Sequence, residues 1–149
     1  MLGKLNKIQI DNLLRSQAIG RIGCSADSTT YVVPITYAYD GTNIYAHTIE
    51  GMKVRMMRAN PKVCFEVDHI ENMANWQSVI AWGTYVELDN KEAEEALQIL
   101  VNRVHPLMTS ETTRPVHSME RKSTSLKTNM RMVVFRIEVK EVSGRFEKG

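Results

Sequence analysis

Between residues 43 and 61 the sequence NIYAHTIEGMKVRMMRANP passes from a strand pattern to a helix pattern through the short turn Ile49-Glu50-Gly51. Residues 43–46 predict a strand ending in His47-Thr48. The helix that follows must stop before Asn60-Pro61, because proline has no N–H and disfavours helical backbone in the residue before it. A helix N-terminus presents N–H groups without partners and a partial positive charge, so it favours anions. Gly51 permits close backbone approach, Lys53 adds a full charge in the first turn, and Thr48 adds a hydroxyl. Together these residues suit a phosphate monoester. A solvated lysine on a capped helix is the structural alternative, and the local pattern does not choose between the two.

Strand patterns dominate the remainder. Residues 6–16 predict a short helix with Ile10, Leu13 and Leu14 on one face. Strands follow over 18–24 and 31–39, separated by a turn over 25–30. Asp40-Gly41 signals a hairpin, since glycine accepts positive φ. Val54 and Met57 form a buried pair on the short helix. Next come a strand over 62–67, a polar loop over 69–75 and a long strand over 77–88. The clearest helix is Asn90–Val104. Asn90 is its expected cap, Glu92, Glu94 and Glu95 suit its positive end, and Ala93, Ala96, Leu97, Leu100 and Val101 form its apolar face. Pro106 ends it. A final strand over 132–142 sets Val133, Phe135, Ile137 and Val139 against Arg136, Glu138 and Lys140. About six strands joined by hairpins predict a mainly β, antiparallel fold with flanking helices. A sheet of this length closes into a small barrel more readily than it stays open. Several kinds of small barrel fit this pattern.

The 149 residues predict one domain, 1–149. A chain of this size buries roughly 70% of the surface its unfolded form exposes, so neither disulfide nor metal is required for folding. Cys24 and Cys64 sit in apolar strand patterns and are expected as buried reduced thiols, with a bridge between them left open. The formal charge of +2 is too small to imply nucleic acid. It is unevenly spread: residues 114–131 hold five basic side chains and one acidic, Glu120, which reads either as a solvated loop or as a lid that brings positive charge to an anionic ligand. That segment contains no aromatic residue, which ranks a nucleic-acid module last. Met1–Ile10 lacks an apolar run and no stretch approaches a membrane span, so a cytoplasmic protein is expected. His69, His105 and His117 lack metal-ligand spacing, no Gly-x-Gly-x-x-Gly is present, and Met56 and Met57 read as core filler.

A set of short pieces, taken in order, carries a resemblance. They are Ile19-Gly20-Arg21-Ile22-Gly23, Tyr31-Val32-Val33-Pro34-Ile35-Thr36-Tyr37, Ile44-Tyr45-Ala46-His47-Thr48, Gly51-Met52-Lys53, Asn60-Pro61-Lys62-Val63-Cys64-Phe65-Glu66 and Trp76-Gln77-Ser78-Val79-Ile80-Ala81-Trp82-Gly83. Their order and spacing resemble the FMN-binding split-barrel family of pyridoxamine 5′-phosphate oxidase, and within it the nitroimidazole-resistance (Nim-like) group. The likeness covers residues 8–100 well and the C-terminal Ser143-Gly144-Arg145-Phe146-Glu147 more loosely.

The resemblance implies a six-stranded antiparallel split β-barrel that binds FMN near the interface of a homodimer. It implies flavin contacts through the backbone of Val33, Pro34, Ile35 and Thr36, where Pro34 marks a strand edge or break. It places Thr48 and Lys53 at the phosphate, His47 near the ring or substrate, Ser78 at the ring edge, and Trp76 against the ring or the dimer interface. Each has a structural alternative: an edge proline, a structural histidine, a strand-end serine, a half-buried tryptophan. His47 is also the candidate catalytic proton donor. Strand alternation, however, points His47 and Thr48 to opposite sides if the strand runs that far. The oxidases that make pyridoxal phosphate carry further basic residues near the C-terminus. Here only Arg145 and Lys148 stand there, which argues against pyridoxamine phosphate as substrate. The leading expectation is an FMN-dependent oxidoreductase reducing a small, nitroaromatic-type acceptor. The alternative is an FMN- or haem-binding protein without turnover, with His47 as the haem ligand.

Overall fold

The computed structural model describes residues 1–107 and 131–149. The basic stretch 114–131 therefore lies outside the described residues except for Arg131. The chain opens with β1 (Leu2–Lys4) and α1 (Lys7–Ser16), then β2 (Ile19–Ala26) and β3 (Thr29–Thr36). After β4 (Ala38–Tyr39) and β5 (Asn43–Ile49) comes α2 (Met52–Ala59). The long hairpin β6 (Lys62–Asn72) and β7 (Asn75–Leu88) leads to α3 (Asn90–Val104), and β8 (Met132–Lys148) closes the chain. All the pairings are antiparallel. The sheet runs β3-β2-β6-β7-β8-β5-β4, with β1 joined to the far end of β8. It curls until β3 approaches β5 with no ladder between them. That unpaired seam is the split of the barrel.

Alternation fills the interior. Ile22, Cys24, Ile44, Ala46, Phe65, Val67, Val79, Ala81, Phe135 and Ile137 point inward and are buried. Asn6 caps α1 by accepting from the Gln9 N–H (2.9 Å), and Gln9 Oε1 accepts from the Asn6 N–H (2.8 Å). The cap sets Ile10, Leu13 and Leu14 against one end of the barrel. Val54 and Met57 of α2 are fully buried, as their spacing predicts. Asp40-Gly41 makes the expected hairpin: Gly41 adopts φ 100°, and Asp40 Oδ1 accepts from the N–H of Thr42 (2.9 Å) and Asn43 (2.7 Å).

The structure departs from the sequence reading in several places, among them the final strand, which runs to Lys148 rather than residue 142. Among the described residues eight strands form, where the sequence pattern predicts about six. The polar loop expected over 69–75 is the tip of the β6–β7 hairpin; its ladder holds side chains that are largely exposed, so no apolar pattern announces it. The strand expected over 31–39 breaks at Tyr37, whose N–H bonds the Ala18 carbonyl (2.9 Å) while its hydroxyl donates to the Leu14 carbonyl (2.6 Å). Strand β5 runs on to Ile49 because β8 pairs with it that far. Asp89, not Asn90, holds the N-cap position of α3, without a side-chain capping bond, and Asn90 takes φ 50° at the bend into the helix. A bulge between Trp82 and Gly83 also bends β7 against β8. At Gly83 a Cβ would fall 2.3 Å from the Glu138 carbonyl oxygen, so only glycine fits.

Candidate functional site

Strand β5 delivers the chain to the N-terminus of α2 through Glu50 and Gly51. The Glu50 N–H donates to the Arg131 carbonyl (2.8 Å), which ties this turn to the start of β8. The first intrahelical bond runs from the Arg55 N–H to the Gly51 carbonyl (3.1 Å). The N–H groups of Met52, Lys53 and Val54 therefore have no intrahelical partner. No acidic residue lies in this first turn. Lys53 is half-buried, and burial holds its ammonium below the ordinary lysine value. Among the described residues no carboxylate pairs with it; the Cys24 thiol, itself pushed up by burial, lies within reach of its charge. A helix N-terminus and a desolvated ammonium side by side make a positive site that no carboxylate among the described residues neutralises.

Gly51 sharpens this. Its φ of −176° is extended backbone open to any residue, and a Cβ there would meet only the Ile49 carbonyl oxygen at 3.7 Å. Packing among the described residues gives no reason for glycine at this position. The space a side chain would take lies in front of the helix N-terminus.

The seam brings a second group together. Strand β3 is the outermost strand on its side, so Pro34 sits at an edge, as expected. The β4–β5 ladder pairs Ala38 with Tyr45 and Tyr39 with Ile44, then stops. Continued by register, it would set Thr36 opposite His47 and Pro34 opposite Ile49. Pro34 has no N–H to extend the ladder. The free edge of β3 along Val33, Pro34, Ile35 and Thr36 thus borders the seam, with the polar groups of alternate residues turned to it and the others used in the β2 ladder. Thr48 points inward like Ile44 and Ala46, whereas His47 lies on the outer side with Tyr45. Val134, the ladder partner of His47, belongs to a small apolar cluster under α3 with Leu88 and Ala96. Burial lowers the His47 pKa below the ordinary histidine value.

Trp76 and Ser78 do not join these groups within one chain. Thr48 pairs with Val133 near the start of β8, whereas Ser78 pairs with Arg145 near its end. Ser78 Oγ donates to Glu66 Oε2 (2.7 Å) on the outer sheet face. There Arg21 Nη1 reaches Asp68 Oδ2 (3.2 Å) and Glu66 Oε1 (3.6 Å). Burial raises the Glu66 pKa and Asp68 repulsion adds to it, against the hydrogen bond from Ser78. The sequence reading missed this cluster; the alternation of Glu66 and Asp68 was a signal, but their partner Arg21 comes from a distant strand. On the same face Cys64 Sγ lies over Gly23, where a Cβ would fall 2.7 Å away. Cys24 faces inward, and both cysteines are free. A groove of about 560 Å³ runs beside Cys64, Val32 and Trp82.

With this geometry in place, the chain belongs to the pyridoxamine 5′-phosphate oxidase family, whose sequence profile matches residues 6–146. It resembles an FAD-binding protein from Mesorhizobium loti, with 28% identity, 99% of each chain covered and a TM-score of 0.77. It shares its fold with a protein from Bacteroides thetaiotaomicron described as a candidate 5-nitroimidazole antibiotic resistance protein. That match has 18% identity, covers 98% of this chain and 87% of the other, and has a TM-score of 0.72. It is also 32% identical over 84 residues to the uncharacterized protein RA0666 of Rhizobium meliloti (strain 1021); the match spans 56% of each chain. Among the described residues no helix is long and apolar enough to cross a membrane.

Proposed function

We propose that this chain is a flavoprotein that binds FMN and serves as a homodimeric oxidoreductase for a small, nitroaromatic-type acceptor. The observation that carries the reading is the half-buried Lys53 ammonium at the N-terminus of α2, without a carboxylate partner among the described residues. A phosphate monoester supplies the missing charge. One compact anion site argues for a mononucleotide rather than a dinucleotide.

When bound, FMN supplies the electron transfer; the chain supplies binding, orientation and access. Lys53 and the first-turn N–H groups hold the phosphate, with Thr48 alongside on the inner side of β5. Backbone groups that the free edge of β3 leaves open along Val33, Pro34, Ile35 and Thr36, with Pro34 offering only its C=O, suit the polar rim of an isoalloxazine ring. His47 shares the outer side of the barrel with Pro34 and Thr36, and its neutral imidazole can donate a proton at that seam. Trp76 and Ser78 reach such a ring only from a second copy of the chain.

The outer sheet face supports that second copy. Ile19 (56% exposed), Val32 (66%), Ile70 (64%) and Trp82 (41%) leave apolar surface open on β2, β3, β6 and β7. The groove beside Trp82 continues it.

The deciding experiment is the absorption spectrum of the purified protein, followed by release and mass identification of the ligand. Flavin bands and released FMN support the reading. FAD, or a Soret band from haem, overturns it. Turnover with a nitroaromatic acceptor then separates an oxidoreductase from a flavin carrier.

A further inference from the structure

The anion site has a carboxylate at its threshold. Glu50 directly precedes Gly51 and stands at i, i+3 from Lys53. Glu50 thus precedes the N-cap of α2, where the positive helix end and the lysine ammonium both attract a carboxylate. In the structure it is drawn the other way. Arg58, in the last turn of α2, reaches back along the helix, and its Nη1 donates to Glu50 Oε2 (2.9 Å). The same guanidinium grips Glu87 of β7 with two parallel bonds, Nε to Oε1 (2.8 Å) and Nη2 to Oε2 (3.0 Å). The Tyr85 hydroxyl donates to Glu87 Oε1 (2.7 Å), and the Arg131 charge also acts on Glu87. Arg58 is thus anchored on β7 and holds Glu50 with its remaining edge, a task that uses the planar fork of arginine.

We propose that Arg58 is a positioning residue for anion binding: it keeps Glu50 from acting as an internal competitor for the phosphate. The inference rests on the reading that Lys53 and the N-terminus of α2 hold the ligand's phosphate. Release of Glu50 would place a carboxylate of this chain on the same positive groups. The ligand would then have to displace it. A ligand without phosphate would feel no such competition.

The test titrates the ligand-stripped chain with FMN and with riboflavin, which lacks the phosphate, and reads the ratio of the two affinities. In Arg58→Gln the FMN affinity should fall about tenfold with riboflavin unchanged. Glu50→Gln added to Arg58→Gln should restore the wild-type ratio. A ratio that Arg58→Gln leaves unchanged overturns the inference. So does an equal loss for both ligands that the double variant fails to rescue, which would make Arg58 a structural tie only. If Arg58→Gln does not fold, Arg58→Lys serves, because one ammonium cannot reproduce both grips. Its ratio should fall by less, and an unchanged ratio there overturns the inference. A wild-type protein with no preference for FMN over riboflavin overturns the phosphate reading itself, and this inference with it.

Discussion

His47 and Thr48 are consecutive in β5 and face opposite sides of it, Thr48 inward with Ile44 and Ala46, His47 outward with Tyr45. They cannot both touch one flat ligand from the same side. In the proposed reading Thr48 therefore goes with the phosphate and His47 with the outer seam. His47→Ala should lower acceptor reduction per bound flavin while the melting temperature changes little. A lowered melt with per-flavin activity intact would make His47 a structural residue.

Titration of His47 should show in stability. Burial lowers its pKa in the folded chain, so below the ordinary value of about 6.5 the unfolded chain binds more protons than the folded one. Stability from this group is complete above that value and falls as pH drops towards the folded pKa. Thermal melts from pH 7.5 to 5.5 should decline more steeply in wild type than in His47→Gln. Parallel declines would contradict the assigned shift.

Lys53→Ala should weaken FMN roughly ten- to a hundredfold, the range for a charge-assisted hydrogen bond of about 1.5–3 kcal/mol. Riboflavin affinity should stay near wild type. Equal FMN affinity in the variant and wild type would remove Lys53 from the phosphate site.

Gly51→Ala separates fold from function. The extended φ and the single 3.7 Å contact allow a Cβ, so the melt should move by less than about 3 °C. FMN affinity should fall, because the methyl group occupies the space before the helix N-terminus. Unchanged affinity would mean that no ligand approaches there.

Trp82→Arg should leave the monomer folded, since the indole is 41% exposed, and should abolish dimers in sedimentation velocity. A wild-type monomer that retains FMN would refute the interface outright. A Trp82→Arg dimer as stable as wild type would move the interface elsewhere.

The features legible in the sequence were the local ones. Alternation through Val133, Phe135 and Ile137, the Asp40-Gly41 turn, the Val54–Met57 pair and the joint from His47 to Lys53 each depend on neighbours along the chain. Their physics, side-chain period and turn chemistry, acts over a few residues. The tertiary structure decided what depends on distant partners. Strand β5 reaches Ile49 because β8 pairs with it, and that pairing sets His47 and Thr48 on opposite sides. The hairpin tip at 69–75 is held by its ladder with its side chains in water, so its composition resembles a loop. Arg58 meets Glu87 across 29 residues of sequence, and Arg21 meets Asp68 across 47. No periodicity encodes such pairs, because an ion pair between elements depends on register and helix rotation. Those are set only when the sheet closes and α2 packs against it.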